Sequence, residues 1–236
     1  SVDYDAPAIS AAPVGAKKIE VKFNRPVDDS KVAFEIKKST ITLNVASKSF
    51  NEDKTVATLE LSSKLTAGDY TVKATGVQDE ALTATFKAED ERVAKIEFKA
   101  TNAPLTNLDN DGEIDDLSIP YQVTNQYGED ITKITTLVNS IGTLNQSAGT
   151  VDIIGNYRVN DVIAVTLIHS PTTTSVAQTF TVVPQARVDQ ISITGLYNKD
   201  NKTITEDTNL ASEAHYLLVE AKDQYGNVVN SVNRLN

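Results

Sequence analysis

"KKIEVKF" (Lys17–Phe23) alternates apolar and charged residues one for one. In an extended chain successive side chains point to opposite faces. Ile19, Val21 and Phe23 therefore share one side, and Lys18, Glu20 and Lys22 share the other. A segment written this way buries one face and wets the other, as strands of antiparallel two-layer sheets do. The same period recurs along the chain. "TITLNV" (Thr40–Val45) aligns Ile41, Leu43 and Val45; "DYTVKATG" (Asp69–Gly76) aligns Tyr70, Val72 and Ala74; "LTATF" (Leu82–Phe86) aligns Leu82, Ala84 and Phe86. Turn formers separate the runs: "NRP" at Asn24–Pro26, "NEDK" at Asn51–Lys54 and "AGD" at Ala67–Asp69. No segment sustains a helical period, and only a short turn is expected near Val27–Phe34. About seven strands over residues 7–89 make up the complement of an immunoglobulin-like antiparallel β-sandwich. The fold class read from the sequence is all-β, with such sandwiches in tandem.

The tandem arrangement rests on an internal repeat. "RVAKIEF" (Arg92–Phe98) returns as "RVDQISI" (Arg187–Ile193), 95 residues later. "YQVTNQYGEDI" (Tyr121–Ile131) returns as "VEAKDQYGNVV" (Val219–Val229), 98 residues later. Two matches in one order at nearly one offset place boundaries within the linker "DER" (Asp90–Arg92) and before Arg187. The expected domains are residues 1–90, residues 91–186 and, in residues 187–236, the start of a third, truncated sandwich. Fifty residues make half a sandwich, with an uncovered apolar face. The expectation is thus of a parent chain continuing past Asn236. In both copies the "QYG" tripeptide ends an alternating strand, where Gly128 and Gly226 would supply a positive φ at a hairpin.

The chain of 236 residues carries 22 basic and 32 acidic residues, a net charge of -10, with no cysteine and no methionine. Residues 91–186 hold 5 basic and 11 acidic groups, so the excess is concentrated there. Phosphate neutralisation needs clustered Lys or Arg, and no basic stripe is present, so no nucleic-acid partner is expected. No run approaches the roughly 18 apolar residues of a membrane span, so no membrane insertion is expected. Without cysteine there is neither a disulfide framework nor a thiolate metal site. The lack of a methionine at position 1 leads to the expectation of a processed or excised chain. Two histidines lie in different domains. No nucleophile–base pairing, P-loop or glycine-rich fingerprint is present, and the chain is not expected to be an enzyme.

One stretch concentrates charge at a bend: "LTNLDNDGEIDDLSIP" (Leu105–Pro120). With Asn107 first, Asp109, Asp111 and Gly112 fit the third, fifth and sixth places of a calcium loop. Glu113 and Asp115 fall at the seventh and ninth. The twelfth is Ser118, where the full motif has a bidentate Glu, so only the half that turns is present. Candidate metal ligands are Asn107, Asp109, Asp111, Glu113, Asp115 and Asp116, for calcium. Further oxygens are expected from Glu129, Asp130 or the linker Glu89–Glu91. The alternative is a hydrated turn in which Asp and Asn bond their own backbone. Tyr197–Asp207, at the comparable place in the third domain, carries Lys199 and Lys202 and reads as a metal-free copy.

"KKIEVKFNRPVDDSKVAFEI", "SFNEDKTVATLELSSKLTAGDYTVKATGV" and "KDQYGNVV" together resemble the immunoglobulin-like repeats of bacterial surface-layer proteins. Phe23, Pro26, Val27, Asp53–Val56, Leu65, Gly68 and Tyr70–Val72 carry the likeness. It covers the first domain well and the others through the QYG repeat. The resemblance implies a structural protein of a self-assembling, calcium-stabilised surface-layer lattice, secreted to the bacterial cell wall. Its partners would be copies of itself, with cell-wall polymer bound through regions outside this chain. A stalk or ligand-binding module of a surface adhesin is the other reading.

Overall fold

The computed structural model describes residues 6–229. It is all-β, apart from two single turns of 3-10 helix at Thr132–Ile134 and Ser170–Thr172. No helix of the described residues is long and apolar enough to cross a membrane.

The first sandwich is built from β1 (Ile9–Gly15), β2 (Lys18–Phe23), β3 (Ala33–Lys38), β4 (Ile41–Leu43), β5 (Val45–Phe50), β6 (Val56–Leu61), β7 (Gly68–Thr75) and β8 (Leu82–Ala88). One antiparallel layer runs β1-β2-β6-β5 and the other β4-β3-β7-β8. The alternation of "KKIEVKF" becomes burial: Ile19 and Val21 are fully enclosed, facing a core with Ile36, Leu59 and Val72. There are eight strands where about seven were expected. "TITLNV" reads as one strand, but Asn44 breaks it. β4 pairs with β3, while β5 pairs with β6 in the opposite layer. The chain thus changes layer at Asn44, whose carbonyl accepts from the Ser62 amide at 3.0 Å. The buried Tyr70 fixes the far end, its hydroxyl accepting from the Thr66 amide and donating to the Thr66 carbonyl, both at 2.9 Å. Such a tyrosine corner, hooking back a few residues upstream, is a mark of immunoglobulin-like sandwiches.

The second sandwich comprises β9 (Val93–Phe98), β10 (Asn102–Thr106), β11 (Asp116–Asn125), β12 (Val138–Asn139), β13 (Thr143–Asn145), β14 (Thr150–Ile153), β15 (Val162–His169) and β16 (Thr174–Val183). β10 joins the two layers. Asn102–Pro104 run parallel to β16, and Leu105–Thr106 pair antiparallel with β11. β11 carries Leu117, Ile119, Tyr121 and Val123 inward against Val165, Leu167, Phe180 and Val182. Phe98 meets Phe180 edge to face at 5.0 Å between ring centres.

Among the described residues, the last region is a two-stranded ribbon of β17 (Val188–Tyr197) and β18 (Tyr216–Asp223), joined by a long loop. Its register places Ile191 opposite Ala221 and Ile193 opposite Val219. These pairs repeat Ile96 opposite Val123 and Phe98 opposite Tyr121 in the second sandwich. Ile191 and Ile193 stand 63% and 66% exposed, so the repeated face lies open in the ribbon.

Candidate functional site

Two features stand out: the acidic turn and the paired QYG loops. The turn closes through its own Asx side chains. Asn107 Oδ1 accepts from the Asn110 amide at 2.7 Å, Asp109 Oδ1 from Asp111 at 3.2 Å, and Asp111 Oδ1 from Glu113 at 2.8 Å. Asn110 (φ 60°) and Gly112 (φ 96°) take the left-handed backbone that such a turn requires.

Asp116 parts company with its neighbours. It is fully buried, and its two oxygens accept from the amides of Leu108 at 2.8 Å and Gly155 at 3.0 Å. Burial alone would raise its pKa, but main-chain donors from Leu108, Gly155 and Asp109 hold it below the ordinary carboxylate value. Asp116 is an anchor that ties the turn to the Ile153–Gly155 segment. Asp109, Asp111 and Glu113 remain exposed and Asp115 half-buried. Partial desolvation, then repulsion from Asp111, Asp116, Glu113 and Asp109, raise the pKa of Asp115. The turn is a site of uncompensated negative field. Among the described residues no three His, Cys, Asp or Glu side chains converge to hold a metal ion.

The further oxygens expected from Glu129, Asp130 or Glu89–Glu91 are not available to it. β11 separates the turn, at Asp116, from the QYG loop, beyond Asn125. Ten strand residues span about 30 Å. Asp130 is occupied locally, accepting from the Thr132 amide and hydroxyl and from Gln122. The acidic turn lies at the other end of the sandwich, where β16 runs parallel to β10 and leads into Pro184–Ala186. The comparable turn of the ribbon is organised by Asn198. Its Oδ1 accepts from the Asp200 and Lys202 amides, and Lys202 pairs with Glu213 at 3.1 Å.

The QYG loops are two copies of one hairpin. Gly128 (φ 78°) and Gly226 (φ 82°) supply the positive φ. Asn125 Oδ1 accepts from the amides of Tyr127 and Glu129; Asp223 Oδ1 accepts from those of Tyr225 and Asn227. The glutamine clips the linker in both. Gln126 accepts from the Arg92 amide and donates to the Asp90 carbonyl, each at 2.9 Å. Gln224 accepts from the Arg187 amide at 2.7 Å and donates to the Gln185 carbonyl at 2.8 Å. A signal for this existed in the sequence, since each glutamine recurs with its own Arg-Val strand start. The reach of the loop into the preceding sandwich had none: Glu129 Oε1 accepts from the Ala16 amide at 2.7 Å, across 113 residues.

The chain is similar to several solved structures. A crystal structure of the S-layer protein rSbsC is 20% identical, covering 95% of this chain and 33% of that chain with a TM-score of 0.40. A structure of surface layer protein SbsC, domains 1-6, is 21% identical, covering 97% and 34% with a TM-score of 0.40. Titin domains z1z2 in complex with telethonin are 13% identical, covering 77% and 97% with a TM-score of 0.31. This chain spans about a third of the length of the two S-layer structures. No protein-family model matches it, and no curated protein does.

Proposed function

We propose that the chain is a structural, non-enzymatic element of an extracellular bacterial surface-layer lattice. In that role the sandwiches are spacers, and copies of the protein tile a sheet on the cell wall. Cell-wall polymer would be held by regions outside this chain. The observation that carries the reading is the bonded joint between the first two sandwiches. Asp90 accepts from the Ala67 amide at 2.9 Å, Glu91 pairs with Lys64, and Glu129 reaches Ala16. A spacer that sets lattice dimensions needs such fixed joints. The domain division at residues 90/91 and 186/187 is part of the proposal, supported by separate cores drawn from Ile19–Ala88 and Val93–Val182.

Calcium enters this proposal only through the field of the acidic turn. Asp116 is committed to main-chain donors, and Asn107, Asp109, Asp111, Glu113 and Asp115 do not close a coordination shell by themselves. An ion held there would take its remaining oxygens from water or from a neighbouring subunit. The adhesin-stalk reading uses the same stiffness differently.

Dialysis of the purified protein with calcium, followed by negative-stain microscopy, separates the two readings. Ordered sheets support the lattice. A monodisperse rod that binds a glycan or receptor array supports the stalk and overturns the lattice.

A further inference from the structure

We propose that the residue following the QYG glycine is an interdomain latch, set closed by Glu129 at the first joint and left open by Asn227 at the second. The inference concerns the joints themselves and does not depend on a lattice.

Both loops contain one carboxylate and one amide at matching positions, but the two are exchanged. In the first copy the inner residue is the amide Asn125 and the outer one is the acid Glu129. Asn125 is buried, and its Nδ2 donates to Glu91 at 3.0 Å and to Glu129 at 2.9 Å. Held from behind, Glu129 turns its carboxylate outward to the Ala16 amide. Gly15 leaves the room for it: a Cβ there would lie 2.8 Å from Glu129 Oε2. An ionised acceptor makes the stronger kind of hydrogen bond to a main-chain amide.

In the second copy the inner residue is the acid, Asp223, whose side chain offers oxygens and no N–H. Its second oxygen lies 3.5 Å from Asn227 Nδ2, so the outer side chain is drawn back into its own loop. Beyond the linker clip, and Tyr225 donating to the Pro184 carbonyl at 2.6 Å, no hydrogen bond among the described residues crosses from ribbon to second sandwich. An open cleft of about 460 Å³ remains there, with Asn227 and Tyr225 facing the Lys99–Asn102 turn. That turn lines the cleft that the second QYG loop leaves unbridged.

The absence of cysteine lets two introduced thiols be labelled cleanly. Spin labels at Ser49→Cys and Ser175→Cys span the first joint; labels at Ser175→Cys and Ser192→Cys span the second. Pulsed dipolar spectroscopy should give a narrow distance distribution for the first pair and a broad one for the second. Glu129→Ala should broaden the first, raising the undocked population by about tenfold. Glu129→Gln keeps only a neutral acceptor and should give a width between those of wild type and Glu129→Ala. Asp223→Asn with Asn227→Glu transplants the first joint's chemistry and should narrow the second. Gly15→Ala attacks the latch from the other side and serves if Glu129→Ala fails to fold. Equal widths at the two joints of the wild type, or an unchanged first distribution in Glu129→Ala, would overturn the proposal.

Discussion

The second sandwich and the C-terminal ribbon present matching strand pairs to different surroundings. Ile96, Tyr121 and Val123 are sealed under β15 and β16, with Phe98 packed against them. Their counterparts Ile191, Ile193 and Val219 stand open to water, with Ala221 buried beside them. Register, hairpin and glutamine clip are nonetheless the same. Strand pairing and turn chemistry are therefore local properties of this repeat, satisfied by main-chain pairing and by Asn125, Asp223 and the glutamine side chains within some forty residues. Burial is not local, because an apolar face gains from leaving water only when a second layer arrives. Among the described residues, the ribbon is a repeat whose hydrogen bonds are made and whose apolar face is uncovered.

The sharpest way to break the comparison is to remove the covering layer's key side chain. Phe180→Ala should lower the stability of the second sandwich by about 3–5 kcal/mol, the usual result for a buried aromatic. Ile193→Ala, on the open counterpart face, should change stability by less than about 0.5 kcal/mol. Denaturant melts followed by circular dichroism read both; equal losses would mean that the ribbon face is covered in solution.

Next in size is the carboxylate anchor. Asp116→Ala leaves two part-buried amides without an acceptor and should cost about 2–4 kcal/mol. Because its pKa is lowered in the fold, its contribution is complete above the unfolded carboxylate value. It is lost only as pH falls through the lower, folded value. Acid titrations of wild type and variant should therefore converge at low pH.

The two QYG loops offer a finer cut. Asn125→Ala should cost about 1–3 kcal/mol and exceed Asp223→Ala, since Asn125 also donates to Glu91 and Glu129, the two acids that reach Lys64 and Ala16 of the first sandwich. Thermal melts of the two single variants test the ranking.

The smallest effect belongs to the exposed acids. Asp111→Ala should leave the melting temperature in chelator unchanged. If calcium binds, a hundredfold excess over Kd stabilises by about 2.7 kcal/mol, and the variant should lose that rise. The same substitution should lower the pKa of Asp115, measured by NMR titration, by removing one of the charges that raise it. The sign is opposite to that of Asp116. With its folded pKa raised, Asp115 contributes stability below the unfolded value that disappears as pH rises through the folded one.

Much of this architecture was legible before any coordinates. Period-two runs marked the strands, and the repeat marked the QYG hairpins. The break at Asn44 was not legible, because Ile41, Leu43 and Val45 keep one parity through it; only pairing partners reveal that the chain changes layer. In the acidic turn the sequence offered six equivalent candidates, and nothing local distinguished Asp116 from Asp115. Asp116 opens β11 and is enclosed by the Leu108 and Gly155 segments, whose amides it accepts from, whereas Asp115 precedes the strand. The joint was hidden for another reason. Glu129 and Ala16 are 113 residues apart, and no periodicity connects them.

Strand positions, turns and net charge were determined by the sequence alone, since they follow from neighbours a few residues apart. The tertiary structure decided which carboxylate is buried, where the chain crosses between layers and which loop reaches the preceding sandwich. Those outcomes depend on which distant amide or apolar face the folded chain brings within contact, and a hydrogen bond or a buried surface exists only once both sides are present.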